Sequence, residues 1–137
     1  MSLSEYEFSS SQNELVGDLA KKMNFVAILL ILFGVLGIVA GVINLFNSIP
    51  TSNKMAVILN NFIQGLLSLL TGIWTKNAAT AFQKIVTTVG TDIENLMIAL
   101  GELRKLYGLQ YWLIIIALVF FIVVLVISLF AAILTTL

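Results

Sequence analysis

Residues 87–96 read TTVGTDIENL and lie between two long apolar runs. The stretch has the chemistry of a helix stop followed by a helix start. Gly90 suits the left-handed position just past a helix end. Thr91 can cap the next helix, and Glu94 completes a T-x-x-E capping box. Asp92 and Glu94 then fall in a first turn, where negative charge is favoured by the peptide dipoles.

The surrounding segment, 76–107, is too long for a simple loop. Its apolar residues Phe82, Val86, Val89, Ile93, Leu96, Leu100, Leu103 and Tyr107 recur in alternating steps of four and three. Such a heptad stripe marks a packed helical face. Lys84, Thr88, Asp92, Asn95, Glu102 and Lys105 lie off the stripe. A single straight helix over 76–107 would be about 48 Å long. Both its ends must rejoin neighbouring helices about 10 Å apart. The expectation is a helical hairpin with its tip near 90–92, zipped through Phe82, Ile85, Val86 and Val89 against Ile93, Leu96, Met97, Leu100 and Leu103. A continuous rod and a helix lying flat on a bilayer are the open alternatives.

Composition sets the environment. Of the 137 residues, 60% are hydrophobic and 10% are charged, against about 25% charged in an average soluble domain. Mean hydropathy is +1.08. Three runs carry no charge: Phe25–Phe46, Met55–Trp74 and Leu106–Leu137. Each reaches the roughly 20 residues needed to cross a bilayer. The fold class expected is therefore an all-α polytopic membrane protein in one domain, with spans at 24–47, 55–75 and 109–134 and the hairpin between the second and third. Residues 1–10 read as a polar tail. The sequence SQNE, Ser11 to Glu14, has capping-box form and should open an amphipathic helix over 11–23 that runs into, or kinks against, the first span. The first apolar run is too long for a secretory signal core.

Small residues mark where the spans pack. Gly34, Gly37, Gly41, Asn44 and Ser48 share one face of the first span, with steps of three and four. In lipid, small residues let helix backbones approach, and packing replaces the missing hydrophobic drive. The seam serves either the chain itself or a second protomer. Pro50 blocks continuation of the first helix. The second span carries Asn60, Asn61, Gln64, Ser68 and Thr71 on a broad polar face. Unpaired amides are costly in hydrocarbon. That face either packs on the glycine seam with interhelical hydrogen bonds, lines a wet path, or belongs to an interfacial helix. Trp74, Tyr107, Tyr111 and Trp112 suit membrane interfaces.

Six of the seven bases fall on the side shared by the N-terminus and the hairpin, in the three-span reading. The positive-inside rule puts that side in the cytoplasm and the C-terminus outside. Net charge is zero, and Cys and His are absent. Nucleic-acid binding, disulfides and the usual zinc sites are thus not expected. No Asp, Glu, Lys or Arg lies within a span, which disfavours proton relays and voltage sensors. No catalytic constellation, cofactor site or metal site is expected; the hairpin acids read as solvated dipole complements.

The runs GLLSLLTGIWTKNAATAFQKI and TDIENLMIALGELRKLYGLQYWLIII resemble a family of small bacterial membrane proteins of unknown function. The matching positions are Ala78, Ala79 and Phe82, then Leu100, Leu103, Arg104, Lys105, Tyr107 and Gln110. The likeness covers about residues 65–120, with a glycine-rich first span like that at 34–41. It implies three spans, a hairpin and a bacterial inner or internal membrane, and brings no activity or ligand. The function expected is a non-enzymatic oligomeric scaffold, or an accessory subunit of a membrane complex, with the lipid bilayer and a second copy or another membrane protein as partners. The alternative is a small homo-oligomeric channel lined by the second span's polar face.

Overall fold

The computed structural model describes residues 7–47 and 53–136, with side chains to residue 131. It has three helices: α1 (Ser10–Phe46), α2 (Lys54–Thr87) and α3 (Asp92–Thr136). No strand occurs among the described residues. All three helices are long and apolar enough to cross a membrane. The turn expected around Pro50 lies outside the described residues; at its edges the Lys54 ammonium donates to the Asn47 carbonyl.

α1 starts two residues earlier than the SQNE reading. Ser9 is the N-cap: its hydroxyl accepts from the Gln12 N–H, and Gln12 Oε1 accepts from the Ser9 N–H at 2.8 Å. Glutamine reaches back to the cap as well as glutamate does, so the box opens at the first serine that fits. The helix then continues without a break to Phe46, so the segment over 11–23 runs into the first apolar length.

α1 and α2 pack antiparallel along a heptad of residues that are small at every position but Ile58. Ala20, Ala27, Gly34 and Gly41 are buried on α1; Ile58, Gly65, Gly72 and Ala79 are buried on α2, at the same spacing. The backbones meet where the glycines face each other. A Cβ on Gly34 would lie 2.7 Å from the Leu69 nitrogen and 2.9 Å from the Gly65 carbonyl oxygen. One on Gly72 would lie 2.8 Å from the Ile31 nitrogen. No other residue allows this approach, and the close contact supplies the dispersion that holds helices together in an apolar solvent. Ser68 Oγ adds an interhelical hydrogen bond to the Leu30 carbonyl at 2.8 Å.

The α2–α3 connection is a turn over residues 88–91, close to the tip expected near 90–92. α2 ends at Thr87, two residues before the expected Val89, and Thr88 N–H closes the helix on the Lys84 carbonyl. Gly90 takes φ +83°, which costs a side-chain-bearing residue about 1–2 kcal/mol. α3 begins at Asp92 and stays helical through Gly108.

The chain divides into two compact units, Met1–Arg104 and Lys105–Leu137. The first holds α1, α2 and the start of α3. Its core away from the glycine contacts is a three-helix cluster of Ala20, Ala81, Phe82, Ile85 and Ala99, with Phe8, Val16, Met23, Leu96 and Leu103 packed on it. The second unit is a helix of Ile, Leu, Val and Phe, in which Tyr111 and Trp112 meet edge to face at 5.9 Å.

Candidate functional site

The hairpin arms pack through part of the expected stripe: Phe82, Ile85, Leu96 and Leu103 belong to the core or pack on it. Phe82 is buried, and Val86, Leu96 and Leu103 are half-buried. Val89, Ile93 and Leu100 are exposed, as is Met97. The buried face of α3 runs through Asp92, Asn95 and Ala99; Asp92 and Asn95 lie off the apolar stripe, and Asp92 is buried where the sequence predicts a solvated acid. The cause is a third helix. The start of α1 contributes Ala20 to the same buried cluster as Ala81 and Ala99 of the two arms, with Phe8, Val16 and Met23 packed on it. α3 therefore turns its small residues inward and its Ile93–Met97–Leu100 edge outward.

Burial of Asp92 has a structural reason. Its Oδ2 accepts from the Phe8 N–H at 2.8 Å, which fastens the segment before α1 to the first turn of α3. The Asn13 amide donates to the Phe8 carbonyl. At the tip, Thr91 Oγ1 pairs with Thr88 Oγ1 at 2.9 Å and accepts from the Asn95 amide at 3.0 Å. Asn95, not Glu94, engages Thr91, because Asn95 faces the cluster while Glu94 is exposed.

Within the first unit's apolar length, Gly34 and Gly41 are buried and Gly37 and Asn44 half-buried. The three glycines face α2: Gly34 and Gly37 meet Gly65, and Gly41 meets the Phe62 ring. The polar residues of α2 divide into two groups. Ser68 is bonded to α1 at 2.8 Å, and Thr75 Oγ1 donates to the backbone carbonyl of Thr71 at 2.7 Å. Asn60 and Gln64 are exposed and Asn61 half-buried, and their side-chain amides have no hydrogen-bond partner among the described residues. They border two adjoining grooves of about 410 and 420 Å³, which share Leu30, Gln64 and Ser68. Gln64 lies nine residues from Met55 and ten from Trp74, the ends of the uncharged run, or about 14–15 Å along the axis. That depth is near the middle of a hydrocarbon layer about 30 Å thick.

No group of three or more acids, cysteines or histidines that could hold a metal occurs among the described residues. Asp92 is used structurally. Sequence reasoning had named Asn60, Asn61 and Gln64 but not the alanine heptad or the tether to Phe8. The spacing of Ala20 and Ala27 ahead of Gly34 and Gly41 was the signal for the former.

These features define an all-α protein with three helices long and apolar enough to cross a membrane, compatible with an integral membrane protein. No family model, no curated protein and no solved structure matches the chain.

Proposed function

We propose that this chain is a non-enzymatic membrane subunit whose second helix joins a further copy through Asn60, Asn61 and Gln64. The observation that carries the reading is the set of unpaired amides on α2, with Gln64 near the middle of the uncharged run and Asn60 and Asn61 about one turn nearer its start. A side-chain amide left unpaired in hydrocarbon costs several kcal/mol, so the monomer is incomplete there. Each amide both donates and accepts. A face of amides is therefore self-complementary about a two-fold axis, as a symmetric dimer requires. The glycine seam does not compete for this role, since α1 and α2 use it on each other. In this assembly the hairpin lies in the cytoplasm, on the side with six of the seven bases. The exposed edge of Val89, Ile93, Met97 and Leu100 is an additional apolar surface for a complex.

The chain has no cysteine, so Gln64→Cys gives a clean cross-linking probe. In native lipid it should form a covalent dimer under mild oxidation, while Leu66→Cys on another face should not. Equal cross-linking at both positions, or none at Gln64→Cys with a monomer by native mass spectrometry, would refute the proposal. The second reading, a water-lined path, rests on the same amides. Conductance of the purified protein in planar bilayers that Asn61→Leu abolishes would favour it.

A further inference from the structure

We propose that a groove between α1 and α2, beside the three-helix cluster, is a phosphate-binding site suited to an anionic lipid headgroup. The groove has a volume of about 390 Å³. Ala20 and Ala79, both buried, form its floor. They belong to the small-residue heptad, so the close pairing of the helices also brings the walls together. Lys21 and Asn24 rise from α1; Gln83 and Lys84 rise from α2.

The donor set suits an anion. Two ammonium groups and two amides can donate, and no carboxylate lines the groove. Neither lysine has an acidic partner among the described residues; the adjacent Lys22 does, donating to Asp18 at 2.7 Å. Thr80 and Thr87 add no donors, because their hydroxyls already bond the Lys76 and Gln83 carbonyls. The amides of Asn24 and Gln83 have no partner among the described residues.

Depth argues for a lipid. Ala27 meets Gly72 inside the apolar pairing, and Lys21 lies six residues along α1 from Ala27, or about 9 Å. Asn24 opens the uncharged length of α1. Lys21 lies three residues before Asn24, or about 5 Å along α1, and Lys84 lies about 15 Å beyond Trp74 along α2, so the two lysines reach the headgroup layer, about 5–8 Å thick, from within it and from its water side. A basic pocket between helices at that level fits a phosphodiester of net negative charge. A free phosphate from water has the same chemistry, and the test separates the two.

The protein is placed in nanodiscs of phosphatidylcholine alone or with phosphatidylglycerol, and retained lipid is counted by native mass spectrometry. Inorganic phosphate is titrated against thermal stability in the phosphatidylcholine discs. The variants are Lys21→Gln with Lys84→Gln, and Lys22→Gln as a control for general surface charge. All three lysines are exposed, so the variants should fold. Preferential retention of phosphatidylglycerol should fall roughly thirtyfold in the double variant, about fivefold per lysine, and less than about twofold in the control. Retention without a response to inorganic phosphate assigns the site to a headgroup. A phosphate-induced thermal shift lost only in the double variant assigns it to free phosphate. Neither retention nor shift in the wild type, no loss in the double variant, or an equal loss in the control would overturn the proposal.

Discussion

Adding one methyl group at Gly34 tests the packing of α1 on α2 most directly. In Gly34→Ala the new Cβ would stand 2.7 Å from the Leu69 nitrogen, whereas ordinary contact begins at 3.4 Å. The obstructing atoms are backbone, so no side chain can swing away. The helices must part locally by the difference, about 0.7 Å. Such overpacking costs about 1–3 kcal/mol. Parting also stretches the nearby Ser68–Leu30 hydrogen bond from 2.8 Å towards 3.5 Å, at a cost of about 0.5–1.5 kcal/mol. Alanine returns about 1 kcal/mol through helix propensity. The net loss expected is about 1–3 kcal/mol. Gly101→Ala is the matched control: its Cβ meets nothing within 4 Å, so only the propensity gain of about 1 kcal/mol remains. The two alanine variants should thus differ by about 2–4 kcal/mol in denaturant unfolding in micelles, with opposite signs relative to the wild type. Gly34→Ala as stable as Gly101→Ala would refute the close backbone contact.

Gly90→Val should cost at least about 1–2 kcal/mol, since it forces a β-branched residue to positive φ, while Gly90→Asn should cost less than half of that; equal stability of both variants would disprove a left-handed turn at the tip. Removing the carboxylate in Asp92→Ala leaves the Phe8 N–H without its acceptor and should destabilise the cluster by about 1–3 kcal/mol. Hydrogen exchange over residues 7–13 should then accelerate, and unchanged protection would show that the tether contributes nothing.

The features legible in the sequence were those written in strong local chemistry. Three uncharged runs announced three long helices, and glycine followed by threonine and two acids announced the break between α2 and α3. Packing partners were harder to read, for a physical reason. The periodicity of Val, Ile and Leu reports which face avoids water. It says little about which face meets another helix where both faces are apolar or where three helices crowd together. There the small residues decide. The stripe through Ile93 and Leu100 was a genuine pattern, yet Ala99 and Asn95 are buried, and Ala99 shares a core cluster with Ala20 and Ala81. The capping box was misplaced by two residues because SQNE matched the motif with a glutamate, while Ser9 with Gln12 matched it equally well one half-turn earlier. Asn60 and Gln64 were visible as polar residues in an apolar helix, but only the structure divides them from Ser68, which has a partner.

The toothed pairing of α1 with α2 also limits how these two helices can move. Sliding one along the other by a residue or two would drive a leucine, isoleucine or valine into a gap sized for hydrogen. Piston-like displacement within the pair is therefore blocked. A mechanical signal crossing the bilayer through this pair must be carried by tilting or turning both helices together.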